Sequence, residues 1–215
     1  MSLDQTEEEQ VEALKAWFKK NGSALVFGLA IGLAAIGGYR FWIDYQIGQS
    51  QKASLVYSSL QNHLITNDSV KVFAAGEQLV KQFPGTPFAA LAALGMARMS
   101  VESDSLDAAV VHLRWVIDNA KQDGMKHIAR LRLVRVLAAE KKFDEGLALT
   151  NIAGQGSYTS LYSEIRGDIL LLQNQSEQAR SAYQQALDTI AENDQRRILL
   201  EMKLNDLPAT DSAQG

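Results

Sequence analysis

The sequence predicts an all-α protein in which a single N-terminal transmembrane helix precedes an array of helical hairpins and a C-terminal capping helix. Three observations predict this class. The stretch from Asn21 to Tyr39 contains no charged residue. From Gln46 to Asp206, apolar residues recur at three- and four-residue spacing between short breaks, as they do along one face of a helix. Small residues also recur at intervals of about 34 residues, which is typical of stacked helical hairpins.

The uncharged stretch has the length and the flanks of a membrane anchor. A helix of this length measures roughly 28 Å, close to the hydrocarbon thickness of a bilayer, about 30 Å. No polar stripe interrupts residues 24–38, which disfavours a helix of a soluble core. We predict a short cytosolic amphipathic helix over residues 1–20 and a transmembrane anchor over residues 21–43. Aromatic rings that favour the lipid–water boundary stand at both ends: Trp17, Phe18, Tyr39, Phe41, Trp42 and Tyr45.

A cleaved signal peptide is the main alternative for this segment, since Ala35 and Gly37 are small enough for a cleavage site. The preceding residues disfavour it, because they are too many and too acidic for the basic start of a signal peptide. The positive-inside rule slightly favours a cytosolic N-terminus. It compares Lys15, Lys19 and Lys20 before the stretch with Arg40 and Lys52 after it.

One face of the predicted anchor carries small residues, namely Ala24, Gly28, Gly32 and Ala35. Such a face lets a second transmembrane helix approach closely. Glycine is also common in membrane helices that have no such partner, so both interpretations stay open.

The rest of the chain contains a degenerate repeat. In its clearest unit, Gly167 is followed by Ala179 and then by Tyr183. The small position recurs at Ala75, Ala109, Gly146 and Ala179. Four residues later in each unit come Leu79, Leu113, Thr150 and Tyr183. Twelve residues before the small position come His63, Ala97, Val134 and Gly167. This pattern resembles the tetratricopeptide repeat, in which small residues let two helices cross closely and an aromatic ring fills the gap. The resemblance implies a tetratricopeptide-repeat-like domain over residues 44–207 and a loose tail over residues 208–215; an ordinary helical bundle is the alternative.

Turn-forming residues divide this region into helices. The predicted breaks fall at residues 66–69, 83–87, 102–105, 122–124, 154–157 and 173–176. The last helix is expected to cap the array, with Ile198, Leu199, Met202 and Leu207 packed inward.

Composition and motifs argue against catalysis. The chain has no cysteine, which excludes thiolate chemistry and cysteine metal sites. The net charge of −4 gives no basic footprint for nucleic acid. His63, His112 and His127 have no partner at metal-ligand spacing, and no phosphate-binding or nucleophile motif is present. We therefore expect no enzyme activity, cofactor, metal or small-molecule substrate.

Binding is the expected role of a helical-repeat array. In this register, the first helix of each hairpin lines a concave groove that is leucine-rich, with arginines at one end and carboxylates at the other. Such a groove suits an apolar peptide or helix. The alternative is that several of its leucines are ordinary core residues. The predicted groove residues are Leu91, Leu94, Arg98 and Val101; Ile128, Leu131, Arg135 and Ala138; and Leu161, Glu164, Asp168 and Leu171.

Taken together, four stretches resemble the bacterial YfgM family, the ancillary subunit of the SecYEG translocon. They are DQTEEEQVEALKAWFKKNGSAL, GGYRFWIDYQ, SLYSEIRGDILLLQNQSEQARSAYQQAL and EMKLNDL. The resemblance implies a single-pass protein of the bacterial inner membrane with a cytosolic N-terminus and a periplasmic C-terminal domain. It also implies association with SecYEG and the periplasmic chaperone PpiD, and contact with unfolded exported polypeptides.

The sequence therefore favours a non-catalytic, membrane-anchored protein-binding module that assists the handling of exported proteins. The alternative is an N-anchored helical-repeat receptor that faces the cytosol.

Overall fold

The computed structural model describes residues 7–208 and is all-α over that range, which confirms the predicted class. The helices are α1 Glu7–Ile65, α2 Ser69–Gln82, α3 Pro87–Glu102, α4 Leu106–Asn119, α5 Asp123–Ala139, α6 Phe143–Thr150, α7 Thr159–Leu172, α8 Ser176–Thr189 and α9 Arg196–Asn205. A 3₁₀ turn, Gly156–Tyr158, precedes α7. Residues 1–6 of the predicted cytosolic helix and residues 209–215 of the predicted tail lie outside the described residues.

The chain divides into two compact units, the first ending at Gln49 and the second beginning at Ser50. Helix α1, most of which belongs to the first unit, is the one helix among the described residues that is long and apolar enough to cross a membrane. The mean hydropathy of its apolar window is 1.7. None of its apolar window is buried. Large side chains such as Phe27 and Ile31 are 70% and 69% exposed. This exposure argues against a soluble-core helix, because such a helix would be covered by protein.

The second unit is a stack of helical hairpins. Four hydrophobic clusters run through it, and each joins helices that are neighbours in the stack. At the start, Ala53 and Leu60 of α1 pack with Leu79 of α2 and Ala92 of α3. The central cluster extends from α2 to α5, a third joins α5 to α7, and the last joins α7, α8 and α9. The core therefore runs along the stack instead of filling the centre of a bundle, as a repeat array requires.

The turn inside each hairpin has the same geometry. One residue in each turn adopts a left-handed backbone, with φ between 54° and 61°: Asn67, Asp104, Lys141 and Asn174. The next residue donates its backbone N–H to a carbonyl five residues earlier, as in Lys142 to Leu137 at 2.8 Å. This is the hydrogen bond of a Schellman motif, which satisfies a carbonyl at the helix end. The turn around Lys141 was not among the predicted breaks.

The repeat register is confirmed where it was clearest. A Cβ atom added to Gly167 would lie 2.5 Å from Cε1 of Tyr183, so only glycine permits this crossing of α7 and α8. Ala109, Gly146 and Ala179 are buried, as expected for the small position, while Ala75 is half-buried.

The predicted inward face of the capping helix α9 is confirmed at Leu207 and wrong at the other three residues. Ile198, Leu199 and Met202 are 67%, 49% and 57% exposed. Leu207 packs into the terminal cluster as predicted. Leu200 packs there in place of the three exposed residues, with Leu204 against it. The helix has apolar residues on more than one side, and its neighbours decide which side is covered.

Candidate functional site

The small-residue face of the anchor is exposed throughout. Ala24, Gly28, Gly32 and Ala35 all lie on the open surface of the first unit. A Cβ atom added to either glycine would meet no atom within 4 Å. Space for a second helix therefore exists, and the packing role of this face remains a prediction.

The groove residues from α3 differ in exposure. Leu91 is half-buried, Leu94 is only 8% exposed and Val101 is 44% exposed. Arg98 is exposed and donates from Nε to Oε1 of Glu102 at 2.7 Å. Only the end of α3 that carries Arg98 and Val101 is therefore open to a ligand.

The groove residues from α5 show the same division. Leu131 is 5% exposed and belongs to the cluster that joins α5 to α7. Ile128 is 39% exposed, Arg135 is exposed and Ala138 is half-buried. Leu131 is therefore a core residue at the junction between two hairpins.

The acidic groove residues of α7 are held by the capping helix. Nζ of Lys203 donates to Oε1 of Glu164 and to Oδ1 of Asp168, both at 2.8 Å. The hydroxyl of Tyr183 also donates to Oδ1 of Asp168 at 2.8 Å. Glu164 is 8% exposed, whereas Leu161 is half-buried and Leu171 is 40% exposed. The two carboxylates thus connect α7 to α8 and α9.

The electrostatics of this cluster follow from burial and hydrogen bonding. Burial alone would lower the pKa of Lys203, but its bonds to Asp168 and Glu164 outweigh burial and raise the pKa. Burial, followed by the hydrogen bond to Asp168, raises the pKa of Tyr183. The ammonium and the phenol therefore both keep their protons at neutral pH.

A cavity of about 360 Å³ opens between α3 and α5, with α4 below it. Its apolar lining comes from all three helices, and charged side chains stand at its mouth. It contains three of the predicted groove residues, Leu94, Arg98 and Val101. The other lining residues are Ala97, Glu102, Leu113, Arg132 and Val136.

A second polar cluster lies between α5 and α7. The ring of His127 stacks on Tyr158 with centroids 4.5 Å apart, and its Nδ1 lies 2.9 Å from the hydroxyl of Tyr162. Burial, with the nearby charge of Arg130, lowers the pKa of His127. The hydrogen bond between His127 and Tyr162 and the stacking on Tyr158 join α5 to α7, which is a packing role.

Sequence reasoning missed Lys203, Arg132 and Val136. Lys203 is 35 residues from Asp168 and 39 residues from Glu164 along the chain. Local residue spacing does not predict an ion pair over so large a sequence separation. Arg132 and Val136 lie on α5 beside the predicted positions, and they enter the cavity because of the rotation of α5 against α3. The net positive charge of α5 was the one sequence signal available for this surface.

The chain is similar to a known class of helical-repeat proteins and to named members of one family. The family model described as a tetratricopeptide repeat-like domain matches residues 15–209. The chain is also 29% identical to the ancillary SecYEG translocon subunit of Escherichia coli (strain K12), over 96% of this chain and 99% of the relative.

Two further relatives agree. The protein of the same description from Neisseria gonorrhoeae is 30% identical over 96% of this chain and 100% of the relative. The one from Haemophilus influenzae is 27% identical over 96% of this chain and 100% of the relative. The chain therefore belongs to the family of ancillary SecYEG translocon subunits, which carries a tetratricopeptide repeat-like domain.

Proposed function

We propose that this chain is a non-catalytic, membrane-anchored protein-binding module that associates with the SecYEG translocon and assists the handling of exported proteins. The observation that carries the proposal is the match to ancillary translocon subunits across both the apolar helix and the helical array. A protein related only through its repeats would match over the second unit alone.

The proposed topology is a single pass through the bacterial inner membrane, with the N-terminus in the cytosol and the C-terminal domain in the periplasm. The excess of lysines before the apolar stretch supports this orientation. The relatives' name, ancillary SecYEG translocon subunit, supports placement in the membrane that holds this channel.

The proposed partners are SecYEG, the periplasmic chaperone PpiD and unfolded exported polypeptides. The YfgM resemblance supports the first two. The groove positions that are open to solvent are compatible with a protein partner, because they present apolar and cationic side chains. They are Arg98, Val101, Ile128, Arg135 and Leu171.

The proposed mechanism is tethering. Two proteins anchored in one bilayer meet at a high effective concentration, so that weak contacts between their soluble domains suffice. The full chain should therefore recover far more partner than a soluble piece comprising residues 45–215.

Co-purification of SecYEG with the two forms at equal dilution tests this mechanism. We expect recovery with the soluble piece to fall at least about tenfold. A matched control replaces residues 21–43 with an unrelated transmembrane helix, which keeps the tether and removes the small-residue face. Equal recovery with the soluble piece and the full chain would contradict tethering, whereas loss in the control would assign the contact to the anchor's own face.

A cytosol-facing receptor is the second candidate, because the basic residues on the two sides of the anchor are nearly balanced. Alkaline phosphatase fused after Gly215 distinguishes the two. Enzyme activity supports the periplasmic domain, and an inactive fusion of normal abundance supports the receptor.

A further inference from the structure

The floor of the cavity between α3 and α5 is apolar and already formed. Leu94, Leu113 and Val136 are buried side chains whose remaining exposed surface faces the cavity, and Val101 stands at the mouth. A volume of about 360 Å³ is near the lower limit for ligand sites, about 300 Å³. Such a space accommodates one or two large apolar side chains of a polypeptide.

The rim of the cavity carries unbalanced positive charge. Arg98 uses its Nε in the bond to Glu102. Arg132, also at the cavity, is exposed and appears in none of the ion pairs among the residues that the structure describes. A guanidinium without a partner offers two parallel N–H groups that match a carboxylate.

The surrounding helix strengthens this charge. Helix α5 contains Lys126, Arg130, Arg132 and Arg135 but only one acidic residue, Asp123. The whole chain, by contrast, has a net charge of −4. Lys126 pairs with Asp123, and Arg130 lies beside His127, away from the cavity. The positive charge beside the cavity therefore comes from the exposed Arg132 and from Arg135, which follows it by three residues, and it attracts an acidic segment.

We propose that this cavity binds a defined segment of a folded protein partner, in which a large apolar side chain lies beside a carboxylate. The apolar side chain fills the space above Leu113 and Val136, and the carboxylate pairs with Arg132. The inference rests on the proposed function and specifies the chemistry of its binding partner. A surface that held unfolded chains in general would instead need a long, adaptable apolar face without a charge requirement.

Peptide binding to the full chain in detergent micelles tests the chemistry. The probe is a fluorescein-labelled octapeptide, Gly-Ser-Glu-Phe-Leu-Glu-Gly-Ser, measured by fluorescence anisotropy. Two matched peptides replace both glutamates by lysine, or replace phenylalanine and leucine by serine. We expect the first peptide to bind at least about tenfold more tightly than either of the others. Equal affinities for the acidic and basic peptides would overturn the proposal.

Variants of the chain locate the site. Arg132→Glu should weaken the octapeptide about tenfold, and Val101→Trp, which fills the mouth from an exposed position, should abolish binding. Lys52→Glu makes the same charge reversal at an exposed lysine outside the cavity and should leave affinity unchanged. An equal loss in Arg132→Glu and Lys52→Glu would reduce the effect to net charge and overturn the site.

Photocrosslinking from position 101 in living cells identifies the occupant. We expect one resident protein, joined through a segment that has a carboxylate within about two residues of an apolar side chain. Adducts spread over many exported polypeptides would overturn the assignment to a defined partner. SecYEG co-purification with Arg132→Glu is measured in parallel. It should be retained, so that failure of this site and failure of the translocon association give different results.

Discussion

Lys203 illustrates how one residue connects distant parts of the chain. Its ammonium lies between the carboxylates of Glu164 and Asp168, both on α7, while its own backbone belongs to the capping helix. Removing Lys203 leaves two neighbouring carboxylates without the ammonium between them, and Glu164 is buried. The hydrogen bond from Tyr183 to Asp168 remains. The loss of the ammonium therefore destabilises more than the intact pairs stabilise.

Lys203→Met should therefore lower the free energy of unfolding by about 2 to 3 kcal/mol. Urea denaturation of the full chain in micelles, followed by far-ultraviolet circular dichroism, measures this change. Lys81→Met is the matched control, because Lys81 pairs with Glu77 on an exposed helix surface and should contribute nothing measurable. Adding Glu164→Gln to Lys203→Met should recover part of the loss. Equal effects of Lys203→Met and Lys81→Met would contradict the buried cluster.

Lys141 occupies a backbone conformation that suits other residues better. Its φ is 60°, at the position that Asn67, Asp104 and Asn174 occupy in the other hairpin turns. Asparagine and aspartate tolerate this left-handed region, whereas a side chain such as lysine is strained there by about 1 to 2 kcal/mol.

Lys141→Gly should accordingly raise the free energy of unfolding by about 1 kcal/mol, since glycine removes the Cβ contact. Lys141→Ala keeps the Cβ atom and should give no such gain. Thermal unfolding of the two variants compares them directly, and a gain that is the same for both would rule out backbone strain as its source.

These residues also show what the sequence could reveal. Gly167 and Tyr183 were predictable as a pair because glycine at a helix crossing leaves a gap that an aromatic ring fills. The turn at Lys141 was not predictable, because neither it nor its neighbours is a turn-forming type. Arg132 was missed because a side chain's access to a cavity depends on the rotation of α5 against α3, which local periodicity does not determine.

At the scale of elements, the capping helix α9 carries the clearest correction. Its apolar residues occupy more than one side, so periodicity alone permits two inward faces. The structure selects Leu200, Leu204 and Leu207 and leaves Ile198 and Met202 in solvent. The sequence predicts that the helix exists. Which of its sides is buried depends on the helices packed against it, so the sequence of α9 alone does not determine it.

Substitutions on the two faces should behave differently. Leu200→Ala removes a fully buried side chain and should cost about 2 to 4 kcal/mol of unfolding free energy. The double variant Ile198→Gln with Met202→Gln should change it by less than about 0.5 kcal/mol. The midpoints of urea denaturation measure both effects. If the double variant lost more unfolding free energy than Leu200→Ala, the inward face predicted from the sequence would be the buried one.

At the scale of the whole molecule, the chain combines an apolar helix suited to a membrane with a stack of hairpins suited to binding a protein. None of the apolar window of α1 is buried, which suits lipid as its surroundings. The stack presents a cavity with an apolar floor and a cationic rim. The sequence predicted both parts and their order, because long apolar runs and a repeat of about 34 residues are signals that tertiary contacts do not alter.

The central claim is that the apolar helix crosses the membrane and places the second unit in the periplasm. The chain has no cysteine, so single cysteines introduced at Lys15, Ile31 and Ser103 report their surroundings through a membrane-impermeant maleimide. In intact spheroplasts, we expect labelling at position 103, labelling at position 15 only after lysis, and labelling at position 31 only in detergent. Labelling of position 15 but not of position 103 before lysis, or of position 31 without detergent, would contradict the account.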